Sequence, residues 1–118
     1  MNKRATGAEY EKLASDFLKQ QGYQILVHNY RCRSGEIDMI AKDGEYLVFV
    51  EVKYRSSTKT GEPLEAVDVW KQRVISKVAA YYCYSHGYGE TTPCRFDVVA
   101  ICGAEYRLIQ NAFEYAGW

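Results

Sequence analysis

The run Leu47-Val48-Phe49-Val50-Glu51-Val52-Lys53 constrains the fold more than any other part of the chain. Its apolar character reads as a buried β-strand, yet it carries a carboxylate and an ammonium. Residues two apart on a strand project from one face, so Glu51 and Lys53 point the same way as Leu47 and Phe49. Burying such charges costs several kcal/mol per ion unless they are paired or hold a metal. Upstream, Gly35-Glu36-Ile37-Asp38-Met39-Ile40-Ala41 reads as a second strand, joined to the first through Lys42-Asp43-Gly44-Glu45. Asp-Gly between two such runs is a strong hairpin signal. With Asp43 and Gly44 as the turn, Asp38 lies opposite Phe49 and diagonal to Glu51; a loop two residues longer sets Asp38 directly opposite Glu51. In both registers Asp38, Glu51 and Lys53 share a face. Diagonal neighbours sit roughly 7–8 Å apart, within reach of a shared ion.

At 118 residues the chain has the size of one domain, spanning positions 1–118. Fifteen basic residues balance fifteen acidic ones. That argues against attachment to nucleic acid through bulk charge, but leaves room for a local basic patch. No apolar stretch follows Met1-Asn2-Lys3-Arg4, so no signal peptide is expected, and no run has the length of a membrane span. Cys32, Cys83, Cys94 and Cys102 form no CxxC pair and no Cys-His zinc spacing. They read as buried free thiols in a reducing, cytoplasmic setting.

Residues 6–21 have an amphipathic helical pattern, with Tyr10, Leu13, Ala14, Phe17 and Leu18 as the buried face. Thr6 and Glu9 fit a capping box and Gly22 a C-terminal stop. A strand over 24–30 and a polar turn over 31–35 follow. After a polar loop at 56–62, Pro63 suits the first position of a long helix reaching Ser85. Its stripe is Val67, Val74, Val78, Tyr82 and Ser85, flanked by Trp70, Ile75 and Tyr81. Residues 94–102 alternate as a fourth strand, and 106–110 form a short fifth. A helix between strands three and four implies a right-handed crossover and a parallel pair. The fold class is therefore α/β: an αβββαβ core whose mixed sheet is flanked by helices.

The element order, an acidic residue on strand two and Glu51-Val52-Lys53 on strand three resemble the restriction-endonuclease-like superfamily and its PD-(D/E)xK signature. More narrowly, several segments resemble the YraN-like family. They are Asn29-Tyr30-Arg31, Gly35 to Ala41, Val48 to Arg55, Lys71-Gln72-Arg73 and Arg95-Phe96-Asp97-Val98-Val99. This bacterial group is described as predicted nucleases akin to archaeal Holliday-junction resolvases. The signature's proline is missing, since Ile37 precedes Asp38. The resemblance implies that Asp38 and Glu51 hold Mg²⁺ (or Mn²⁺) beside the scissile phosphate, with the backbone carbonyl of Val52 as a third ligand. It implies that Lys53 contacts the attacking water, and that Glu9 is the glutamate which junction resolvases carry in their first helix. A hard cation that prefers one or two carboxylates and keeps several waters suits this donor set.

Other residues have competing structural uses. Glu9 already serves the capping box. Glu36 shares the face of Asp38 and is either a supporting ligand or a partner of Lys53. Arg31, Arg33, Arg55 and Lys59 lie on loops around the site and form a basic rim with Lys53. Lys71, on the apolar stripe, either binds phosphate or snorkels, and a site role for Gln72 rests on resemblance alone. Asp97 is taken as structural, with Arg95 or a helix residue as its partner. Tyr81, Tyr82, Tyr84 and Tyr88 read as core or dimer contacts, with base stacking as the alternative. His28 and His86 have no metal-ligand spacing.

The expectation is a metal-dependent endonuclease acting on DNA, including branched or structured DNA. It would need no small-molecule cofactor and no membrane, and would work as a homodimer because two symmetric cuts need two sites. The alternatives are a nucleic-acid-binding module without catalysis, and an interaction protein in which the charged cluster is a cross-strand salt bridge.

Overall fold

A computed structural model describes residues 7–55 and 66–117. The elements run α1 (Gly7–Gln20), β1 (Gln24–Cys32), β2 (Gly35–Asp43), β3 (Tyr46–Arg55), α2 (Val69–Ser85), β4 (Cys94–Cys102) and β5 (Glu105–Phe113). The strands form one sheet in sequential order. All neighbours are antiparallel except β3 and β4, which run parallel because α2 carries the chain back between them. The result is the expected α/β mixed sheet, with β5 longer than its sequence pattern.

Each face of the sheet has its own core. Val48, Val50 and Val52 of β3 pack with Ala14 and Leu18 of α1. Leu47 and Phe49, one residue out of phase, pack with Ile75, Val78, Ala79 and Tyr82 of α2. A strand buried on both faces is necessarily near-continuous in apolar residues, which explains the composition of β3. Glu51 and Lys53 have the parity of the α2 face. Among the described residues, no helix is long and apolar enough to cross a membrane.

Several boundaries differ from the sequence pattern, each for a local reason. The hairpin turn is Gly44-Glu45, not Asp43-Gly44, because Asp43 pairs with Tyr46 and Lys42 with Leu47. Gly44 takes φ 61°, a left-handed conformation that glycine adopts without a Cβ clash. This one-residue slide gives the register of the longer loop without the extra residues, and aligns Asp38 with Glu51. Helix α2 begins at Val69, because the Asp68 side chain accepts from the Lys71 amide at 2.9 Å and caps it there. Pro63, Thr6 and Lys59 lie outside the described residues. In α1 Leu13 is 40% exposed; the buried positions are Ala14, Ser15 and Leu18, so the helix is rotated from its expected face. Trp70 and Tyr81, expected to flank the α2 core, face solvent.

Strict alternation also breaks in the middle of β2. Ile37 and Ile40, three apart on β2, both join the α2-side cluster, as do Val27 and Tyr30 on β1. The break falls at Asn29, whose φ is 52°. Asparagine tolerates that region better than most residues. The β1–β2 register sets Asn29 across from Asp38. Asp38 therefore sits where the two faces of the sheet are both within reach.

Candidate active site

The site lies just past the Met39–Val50 end of the β2–β3 ladder, where the first turn of α2 reaches β3. The Asp38 carboxylate accepts a hydrogen bond from the Val52 amide at 2.8 Å, which holds it against the neighbouring strand. Glu51 is 8% exposed and its carboxyl shares a hydrogen bond with Asp38. Burial pushes the Glu51 carboxyl up to about 8, the charge of Asp38 and their hydrogen bond add to this, and Lys71 and then Lys53 oppose it. Glu51 is thus driven toward its protonated form. Lys71 Nζ stands 3.7 Å from Glu51 Oε2 and bridges α2 to β3. Lys53 is half-buried and close enough for its charge to act on Glu51. Asp38 and Glu51 therefore meet, with Lys71 beside Glu51 and the Lys53 charge within reach of it.

The other expected site residues divide. Val52 enters the site through its N–H, which donates to Asp38. Glu9 is exposed on α1. Glu11 of the same helix is within reach of the Asp38 charge: burial raises its carboxyl first, and the Asp38 charge second, while a hydrogen bond with Asn29 opposes them. Glu11 escaped the sequence reading because the helical face was placed one step round. With Ala14, Ser15 and Leu18 it forms an i, i+3, i+4, i+7 set, a lone carboxylate on the true buried stripe. Glu36 pairs with Arg31, whose Nε donates to it at 2.7 Å, and not with Lys53. Arg33 is exposed in the β1–β2 turn, and Arg55 ends β3. Gln72 is occupied with the helix start, donating to the Val67 carbonyl at 2.8 Å.

Asp97 belongs to a separate structural cluster. It is fully buried and accepts from Arg95 Nε at 2.9 Å, from the Tyr23 hydroxyl at 2.6 Å and from the Asn111 amide at 3.0 Å. Arg95 also bonds Asp43 at 2.8 Å, tying β4 to the end of β2. The expected Arg95 partnership is present.

Among the described residues, no three Asp, Glu, His or Cys side chains form a ready-made metal cage. A cage is what zinc or calcium takes; Mg²⁺ takes one or two carboxylates and fills its remaining positions with water and substrate phosphate. A buried carboxyl beside a half-buried one is a donor set that a small dication relieves, so the residues fit such an ion.

The model of the uncharacterised protein family UPF0102 matches residues 10–101. A UPF0102 protein of Lachnoclostridium phytofermentans is 52% identical over 117 residues, covering 99% of each chain. One from Symbiobacterium thermophilum is 48% identical over 94% of this chain and 98% of its own. One from Stutzerimonas stutzeri is 44% identical over 94% and 96%. The chain belongs to the uncharacterised protein family UPF0102.

Proposed function

We propose that this chain is a metal-dependent endonuclease that hydrolyses phosphodiester bonds of DNA, branched or structured DNA included, as a cytoplasmic homodimer of the YraN-like, PD-(D/E)xK type. One observation carries the reading: Asp38 and Glu51 are held in contact with Lys53 and Lys71 around them, and the cluster is not electrostatically self-sufficient. In a salt bridge formed for stability, the lysines would hold the carboxyls below their ordinary range. Here burial and the Asp38 charge outweigh both lysines, and Glu51 is raised. Two lysines at this range do not offset the burial of Glu51 beside a second carboxyl, whereas a dication held directly between the two would.

Asp38 and Glu51 would hold the ion, with Val52 keeping Asp38 in place through its amide. When bound, Mg²⁺ or Mn²⁺ would polarise the phosphodiester and make water more acidic. Lys53 orients the attacking water and offsets charge on the non-bridging oxygens. Lys71 is partly exposed and can move from Glu51 to a phosphate once Glu51 has another partner. Glu11, beside Asp38 on the α1 side, positions outer water. Arg31, Arg33 and Arg55 supply cations near the same end of the sheet.

The test is cleavage of linear duplex, single-stranded, flap and four-way-junction DNA in Mn²⁺, by wild type, Glu51→Gln and Lys53→Ala. The expected result is cutting by wild type and loss in both variants. Equal cutting by all three, or none by wild type on any substrate, overturns the proposal.

A further inference from the structure

Helix α2 carries a second feature that the cluster at Glu51 does not use. Its outer face presents Trp70, Arg73, Lys77, Tyr81 and Tyr84, which fall within one narrow stripe at helical spacing. All five are exposed, Trp70 by 73% and Tyr84 by 85%. An indole and a phenol left so far out contribute nothing to the core, which α2 builds from Ile75, Val78, Ala79 and Tyr82. None of the seventeen residues of α2 is acidic, although the whole chain is neutral. Among the described residues, neither Arg73 nor Lys77 joins an ion pair.

We infer that this stripe is a track for single-stranded nucleic acid, which makes unpaired bases flanking the cut the substrate class of the proposed nuclease. Aromatic faces accept any base by stacking, and interleaved cations follow the phosphates. From Trp70 to Tyr84 the helix rises about 21 Å. At roughly 3.4 Å per stacked nucleotide, that accommodates about six. The track also starts at the proposed site: Trp70 adjoins Lys71, which reaches Glu51 at 3.7 Å. A strand lying on it would lead directly to the metal ligands. A second copy of the chain suits the face poorly. A two-fold helix pair through this stripe brings the basic residues of one α2 against those of the other, with no carboxylate on the helix between them.

The inference rests on the nuclease reading for its orientation, but binding tests it without catalysis. In EDTA, fluorescence anisotropy compares a labelled oligothymidylate with a labelled duplex hairpin. Trp70→Ala/Tyr84→Ala should weaken oligothymidylate binding at least about tenfold, since each stacked base is worth roughly 5- to 150-fold. The hairpin should change less than twofold. Arg73→Gln/Lys77→Gln should lower the slope of log affinity against log salt by about 1.4 on the single strand. In a Trp118→Phe background Trp70 is the sole tryptophan, and the oligothymidylate should quench it. All four side chains are exposed, so circular dichroism should report an unchanged fold. Unchanged affinity for oligothymidylate in the aromatic variant overturns the track. So does a sedimentation result in which that variant dissociates a dimer while DNA binding is kept. If wild type cuts DNA but the stripe variants bind normally, only the track fails. If wild type never cuts but the binding pattern holds, only the nuclease reading fails.

Discussion

Replacing Glu51 with glutamine should stabilise the metal-free protein, and only at neutral to alkaline pH. The Glu51 carboxyl ordinarily ionises near 4.5 and is pushed to about 8 in the fold. Between those values the native state keeps a proton that the unfolded chain has lost. The native state then binds more protons, so stability falls as pH rises through this window and stays low above it. At 1.36 kcal/mol per unit, the cost of ionisation mismatch reaches about 3 kcal/mol at pH 7 and about 5 kcal/mol above pH 8. Glutamine resembles the protonated side chain in size and can still donate to Asp38, but has no proton to lose. The two proteins should therefore melt together near pH 5. For a domain of this size the gap should widen to roughly 10 °C by pH 7. Calorimetric melting of both proteins in EDTA from pH 5 to 9 reads this directly. A gap that is constant with pH, or a wild type that gains on the variant as pH rises, would refute the view that Glu51 is a strained, proton-holding carboxyl.

Three further outcomes follow from the same geometry. Arg95→Ala should cost about 3–5 kcal/mol in urea unfolding, because it leaves the fully buried Asp97 carboxylate without its cation. Gly35→Ala should cost about 1–3 kcal/mol by the same assay. At φ 147° its added Cβ would stand 2.6 Å from Val74 Cγ1. Glu11→Gln should weaken Mn²⁺ binding about tenfold by calorimetry, as loss of an outer-shell group does, whereas Glu9→Gln should change it less than twofold.

The central strands were legible because burial on two faces leaves a pattern that few other structures share. A continuous apolar run, then a glycine-bearing turn, then a second run placed Asp38, Glu51 and Lys53 together, whichever turn was chosen. The register itself was not legible. Asp-Gly and Gly-Glu are both acceptable turns, and the choice lies in how Asp43 is held by Arg95 from β4, a contact between residues 52 positions apart. The α1 face was misjudged because Leu13 and Glu11 look like core and surface by type. Leu13 is exposed, and Glu11 is half-buried with a hydrogen bond to Asn29. Helix α2 starts at Val69 because the Asp68 side chain caps it there, whereas Pro63 lies outside the described residues. Helical spacing leaves core, dimer contact and base stacking all open for the α2 tyrosines, because it records periodicity and not which side of the helix meets the sheet.

The most direct test of the proposed metal centre is calorimetric titration of Mn²⁺, with and without DNA, into wild type, Asp38→Ala and Glu51→Gln at pH 8. Stoichiometric binding to wild type and its loss in both variants is the expected result. Binding that survives both substitutions, or no binding to wild type even with DNA present, would contradict a cation held between Asp38 and Glu51.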